Sequence, residues 1–131
     1  MEILFLDDDR FPIDVSWINY PEGSVFTIVR TFKDFCKAVE ENEYDGYSFD
    51  HDIADFHTLV PGDKKFVPPY GFIDQDIEEY MEYNGYHCAM FLIMNKDVTG
   101  KNIFIHTQNC RGLENIKRAF SKVGMYVGRE G

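Results

Sequence analysis

Basic residues are scarce in this chain. Of its 131 residues, 13 are Lys or Arg against 23 Asp or Glu, a formal net charge of −10. Lys and Arg supply most of the grip on a phosphate backbone, and no basic run here exceeds two residues. Extended double-stranded nucleic acid is therefore not the expected partner. A single nucleotide or a strand terminus, held by a few cations or a metal, is compatible with this charge. Long apolar runs are also missing, since the longest, Cys88 to Met94, is far short of a bilayer span. The N-terminus lacks the basic and long apolar regions of a signal peptide. These absences predict a cytoplasmic protein with no membrane partner. Cysteine is sparse: Cys36, Cys88 and Cys110 are an odd number at unrelated spacings, which suits reduced thiols better than a disulfide framework or a zinc site. No internal repeat or low-complexity tract is present.

What is there is enough for a core: 44% of residues are apolar and 16% aromatic, so residues 1–131 are expected to fold unaided as one domain. Glu2 to Leu6 (EILFL) predicts a buried strand ended by Asp7-Asp8-Asp9. Residues Phe11 to Gly23 predict a turn-rich connection with a short helical turn around Trp17. Val25 to Val29 predicts a second strand, and Thr31 can cap a helix over Phe32 to Asn42. A third strand, Tyr47 to Phe49, runs into Asp50-His51-Asp52. Residues 53–72 are rich in Pro and Gly without periodicity and predict a mobile flap, and a helix is expected over Ile73 to Met94, broken at Asn84-Gly85. In its second half Tyr86, Ala89, Met90 and Ile93 would form the buried stripe. A strand over Asn102 to Ile105, a helix over Leu113 to Lys122 and a last strand at Met125 to Val127 complete the pattern. Parallel neighbours need crossovers, so the order predicts an α/β fold, a small three-layer doubly wound domain with a mainly parallel five-stranded sheet.

In such sheets ligands bind beyond the carboxyl ends of the strands. Three predicted strands end in polar clusters: Asp7-Asp8-Asp9-Arg10, Asp50-His51-Asp52 and His106-Thr107-Gln108-Asn109. Converging carboxylates repel and are costly to desolvate, so they call for protonation, partner cations or a divalent metal. Asp7, Asp8, Asp50 and Asp52 are the candidate metal ligands, and oxygen donors with open positions suit Mg²⁺ or Mn²⁺. His51 and His106 stand where a proton could be moved, whereas His57 and His87 read as surface or capping residues. Arg10 and Arg111 offer guanidinium groups to a phosphate. Cys110, with no base at a convincing spacing, reads as a helix-start residue.

Leu4-Phe5-Leu6-Asp7-Asp8-Asp9-Arg10-Phe11-Pro12 resembles the LFLDDxRxP opening of the cyclic-phosphate processing receiver domains. Ser48-Phe49-Asp50-His51-Asp52-Ile53 resembles their SFDHDL segment. Ile105-His106-Thr107-Gln108-Asn109 followed by Gly112 is similar to their vHSxNPxG segment, and Gly85-Tyr86 with Ala89 to Leu92 is similar to a helix start of the family. Cys110 stands where the family has proline, and the stretch from Ile53 to Asn84 is longer than usual. The resemblance implies a receiver-like, flavodoxin-like fold and an acidic strand-end pocket that handles cyclic phosphates on nucleotides or RNA ends. By matching position it implies site roles for Asp7, Asp8, Arg10, Asp50, His51, Asp52, His106, Thr107 and Asn109.

The expected activity is metal-assisted hydrolysis of a cyclic phosphate by a monomer or small homo-oligomer, its ligand a cyclic nucleotide or a terminal RNA phosphate. Asp8 and Asp50 would face the metal, Arg10 would stabilise charge, and His106 would act as general acid, with Thr107, Asn109 and Arg111 holding substrate. A phosphorelay receiver would use Asp50 but needs a lysine after the fifth strand, where this chain has Gly128 and Arg129. A two-histidine phosphoesterase needs two H-x-[ST] motifs, and His106-Thr107 and His51-Asp52-Ile53 break that spacing. A non-catalytic nucleotide- or signal-binding protein, or a protein-interaction domain, is the alternative from a different class. For that reading the aromatic residues Phe56, Phe66, Tyr70 and Phe72 would close over a base or dock on a partner.

Overall fold

The apolar run EILFL forms strand β1 (Glu2–Leu6). It is followed by β2 (Val25–Val29), helix α1 (Phe32–Glu41), β3 (Gly46–Phe49), and the strands β4 (Asp55–Leu59), β5 (Lys64–Val67), β6 (Gly71–Asp74) and β7 (Glu79–Tyr83). Helix α2 (Gly85–Asn95), strand β8 (Asn102–Ile105) and helix α3 (Cys110–Ser121) complete the regular structure among the described residues. The computed structural model describes residues 1–53, 55–59, 64–67, 71–74 and 79–125, with the backbone alone for those between 55 and 82.

One parallel sheet carries the fold, in the order β2-β1-β3-β8. This is the strand order of receiver and flavodoxin-like domains, in which the direction of winding reverses between β1 and β3 and leaves a crevice at their carboxyl ends. The register decides what fills that crevice. Leu6 is aligned with Val29 and with Phe49, and Phe49 with Ile105, so Asp7, Arg30, Asp50 and His106 leave the sheet at one level. The ladder continues one step into these residues: Asp7 N–H donates to Val29 O (3.2 Å), Asp50 N–H to Leu6 O (3.0 Å) and His106 N–H to Phe49 O (2.9 Å).

Side chains alternate across a strand, and the two faces are covered unequally. Leu4, Leu6, Tyr47, Phe49, Ile103 and Ile105 face the three helices and build the main core with Phe32, Phe35 and Val39 of α1, Phe91 and Leu92 of α2, and Leu113, Ile116 and Phe120 of α3. Ile3, Phe5 and Phe104 face the other way and pack with Val15 and Ile18, with Trp17, Tyr20, Phe26 and Ile28 partly buried around them. The second layer is thus the irregular crossover between β1 and β2 rather than a helix. Its single helical turn is at Pro12–Asp14, not around Trp17, because Pro12 presets the first turn and the Asp14 carboxylate accepts the Phe11 N–H at 2.9 Å.

Local capping sets the helix starts. Thr31 Oγ1 accepts the Asp34 N–H, as the sequence suggests, and Asn84 Oδ1 accepts the N–H groups of Tyr86 and His87. Asn109 Oδ1 accepts the Gly112 N–H, so α3 begins at Cys110, ahead of the predicted start at Leu113. Helix α2 packs between α1 and α3 and buries Cys88, Ala89, Phe91 and Leu92, leaving Tyr86, Met90 and Ile93 of the expected stripe only partly buried.

The largest correction lies between β3 and α2. The helix expected from Ile73 starts only at Gly85, and the expected flap over 53–72 carries strands. β4 pairs antiparallel with β7, and β5 with β6, as nested ladders. Strand-favouring Phe, Tyr, Thr and Val in these runs outweigh the weak helical pattern. Flap residues 54, 60–63 and 68–70, and with them Tyr70, lie outside the described residues, as do 126 and 127 of the expected fifth strand.

Candidate active site

The parity that puts Phe5, Ser48 and Phe104 on one face also puts Asp7, Asp50 and His106 there, one step beyond the strand ends. Asp7 is fully buried. Its Oδ1 accepts the N–H groups of Asp9 (3.1 Å) and Arg10 (3.0 Å), and its Oδ2 accepts from Arg10 Nη1 (3.4 Å) and His106 Nε2 (3.1 Å). Burial opposes its charge, but the hydrogen bond from His106, the two backbone N–H groups and the attraction of His106 outweigh burial and hold its pKa well below the usual carboxylate range. The turn from Asp7 to Arg10 is clamped from outside by Arg30, whose Nη1 donates to the carbonyls of Asp7 (3.1 Å) and Arg10 (2.6 Å). Its guanidinium also stands 4.8 Å from the Phe11 ring centroid.

His106 is sealed. It is fully buried, stacks on Phe5 with ring centroids 4.5 Å apart, and its carbonyl accepts the Trp17 Nε1–H at 2.9 Å. Nδ1 meets Ser48 Oγ at 2.7 Å, and Ser48 Oγ meets the Tyr20 hydroxyl at 2.7 Å. The partners assign the protons. Asp7, ionised, can only accept, so Nε2 carries hydrogen. Burial lowers the His106 pKa against the pull of Asp7, and Nδ1, Ser48 Oγ and the Tyr20 hydroxyl form one hydrogen-bonded chain. Burial also pushes the Tyr20 phenol up to about 12, keeping it protonated. The sequence points to His106 as a general acid; the structure instead engages both its nitrogens and turns neither to solvent.

The second histidine sits differently. His51 Nδ1 is 2.9 Å from Asp52 Oδ1, and the His51 side chain keeps 14% of its surface exposed. Asp52 Oδ2 accepts Asn109 Nδ2–H at 3.0 Å. This hydrogen bond, followed by the one to His51, lowers the Asp52 pKa. Asp52 therefore pairs with His51 rather than joining the acids around Asp7. His87 is a capping residue, as the sequence suggests: its Nδ1 accepts the Asn84 N–H at 3.0 Å, and burial, then the charge of His51, push its pKa down to about 4.

Two glycines, Gly85 at the expected helix break and Gly112 in the family-like segment, hold the Asp50-His51-Asp52 segment. Gly85, at the start of α2, donates its N–H to His51 O at 2.7 Å. A Cβ there would overlap the Asp50 carbonyl and stand 3.0 Å from His51 Cα. At Gly112 a Cβ would fall within 2.8 Å of His51 Cβ, Cγ and Cδ2. The imidazole occupies the space a side chain would need.

Asp8, Asp9, Arg10, Asp50, Asp52, Thr107, Gln108 and Asn109 line a cleft of about 270 Å³ at this edge. Asp50 is buried, and burial, then the charge of Asp7, push its pKa up to about 6 against the His51 N–H (2.9 Å), Thr107 and Arg10. Burial and the charges of Asp9 and Asp7 also raise the Asp8 pKa. Arg10 Nη1 reaches to 4.0 Å from Asp50 Oδ2, and its guanidinium lies 5.5 Å from the Trp17 ring centroid. Thr107 is buried and its Oγ1 accepts the Asn109 N–H at 3.2 Å. Arg111 is exposed on α3 and does not line the cleft, and Cys110 is the exposed first residue of that helix.

One carboxylate oxygen each from Asp7, Asp8 and Asp50 lie within 4.8 Å of one another. Such an oxygen set suits a hard divalent cation. Asp7 already accepts four hydrogen bonds, so Asp8 and Asp50, whose charge is less well compensated, fit that task better. Trp17, Tyr20, Arg30 and Ser48 are absent from the sequence-derived site. The signals for Ser48 are its place at the head of the Ser48-to-Ile53 segment and its position two residues before Asp50, on the same face of the strand.

A parallel α/β sheet in this order, with acids gathered at the carboxyl ends of β1 and β3, defines a receiver-like domain. The family model of the cyclic-phosphate processing receiver domain matches residues 2–122, and the chain belongs to that family. No curated protein and no solved structure matches it. No helix among the described residues is long and apolar enough to cross a membrane.

Proposed function

We propose that this protein is a metal-assisted phosphohydrolase that opens cyclic phosphates on nucleotides or RNA ends. The observation that carries the proposal is the gathering of Asp7, Asp8 and Asp50 beside Arg10 at the sheet's switch point, in a chain of a cyclic-phosphate processing family. Asp8 and Asp50 would hold Mg²⁺ or Mn²⁺, which when bound supplies Lewis acidity and offsets the charge of the acids. Arg10 faces the non-bridging phosphate oxygens, and Asn109 and Thr107 shape the wall beside them. His51 moves the proton: with Nδ1–H directed to Asp52, its Nε2 takes a proton from the attacking water and returns it to the departing ribose oxygen. His106 keeps Asp7 ionised and in place.

The test is phosphate-end analysis by mass spectrometry of 2′,3′-cyclic nucleotides and a short cyclic-ended RNA, incubated with protein and Mg²⁺ or Mn²⁺. The wild type is expected to yield a defined monoester only with metal, and Asp8→Asn and His51→Ala to yield none. Intact substrates, with one retained on the protein, would instead make the cleft a binding site, the reading favoured by the engaged nitrogens of His106.

A further inference from the structure

Glycine inside a helix is unfavourable relative to alanine. Gly112 nevertheless occupies the first turn of α3, and its missing Cβ leaves the volume filled by the His51 ring. The same turn is entered through Asn109, which caps the helix through Oδ1 and holds Asp52 through Nδ2. Gly85 closes the opposite side, with its N–H on the His51 carbonyl. We infer that Gly112, Asn109 and Gly85 are positioning residues that wedge the Asp50-His51-Asp52 segment between the first turns of α2 and α3, fixing the tautomer of His51 with the proton on Nδ1, directed to Asp52, and none on Nε2. The proton-handling role of His51 rests on the proposed function; the wedge does not.

The two can fail separately. In an otherwise wild-type chain Gly112→Ala pushes on the imidazole and lowers Tm by about 5 °C. In a His51→Gly chain the same substitution meets neither the ring nor the Cβ of residue 51, and the helix propensity of alanine raises Tm by about 3 °C. The sign reversal is the signature of the wedge. Nitrogen-15 shifts of the His51 ring, read where the ring is neutral, are expected to show one Nδ1–H tautomer in the wild type and a mixture in Gly112→Ala. If turnover is found, Gly112→Ala lowers kcat about tenfold with KM nearly unchanged, the cost of a misdirected proton carrier. A Tm that rises with Gly112→Ala in both backgrounds, or ring shifts that do not respond, overturns the inference whether or not the protein turns over any cyclic phosphate.

Discussion

Two Asp–His pairs stand at the same edge of the sheet at similar distances, 3.1 Å for Asp7–His106 and 2.9 Å for Asp52–His51. They differ in what covers them. The Asp7 and His106 side chains are fully buried, whereas Asp52 is 65% exposed and His51 14%. The buried pair has every polar atom engaged by Ser48, Arg10 and backbone N–H groups, which suits it to rigidity. The open pair leaves one imidazole nitrogen without a hydrogen bond among the described residues, which suits it to exchanging a proton. The same two side-chain types thus stand in different surroundings, and burial separates them.

The sharpest way to break this comparison is to remove each histidine. His51→Ala is expected to lower cyclic-phosphate turnover about a hundredfold to ten-thousandfold with little change in Tm. His106→Ala leaves Asp7 a buried charge without its partner and is expected to cost about 3–5 kcal/mol of stability in chemical denaturation. The opposite pattern, an inert but stable His106→Ala and a fully active His51→Ala, would reverse the assignment of the two pairs.

Asp50, between the pairs, sharpens it further through pH. Its folded pKa of about 6 lies above its ordinary 3.8, so the folded state binds the proton more tightly and stability falls as pH rises through that window. Asp50→Asn removes this penalty: in metal-free buffer it is expected to be more stable than the wild type at pH 7 by about 2 kcal/mol, the difference fading below pH ~4. Asp7 runs the other way, contributing stability at and above the usual carboxylate range that is lost as pH falls through its depressed pKa. Urea melts across pH 4 to 8 check the Asp50 slope, and their extension to lower pH checks that of Asp7.

The smallest effect is expected at the far end of the sealed chain. Ser48→Ala leaves His106 Nδ1 and the Tyr20 hydroxyl without their shared partner and is expected to cost about 1–2 kcal/mol in the same denaturant melts. Tyr20→Phe added to it should cost little more, because the two side chains belong to one network.

Much of this site is legible in short stretches of sequence. The strand runs before Asp7, Asp50 and His106 and the capping Thr31 are local features, and the acids that end the strands follow directly from them. The stretch from 55 to 83 resists such reading because its pairing joins residues far apart, as in Asp55 with Tyr83, which no local period records. Trp17, Tyr20, Arg30 and Ser48 escape the sequence for the same reason: each acts on a partner brought to it by the sheet.

By itself the sequence determined the edge at which acidic and polar side chains are concentrated, because strand propensity and the polar residues that stop a strand are properties of neighbouring residues. Only the tertiary structure decided which histidine is sealed and which is open. His106 and Asp7 meet across 99 residues, on the face that the crossover covers, while His51 falls in the gap left by Gly112. That outcome depends on strand register and on the layer packed over each face, and both are set by the whole fold rather than by either motif.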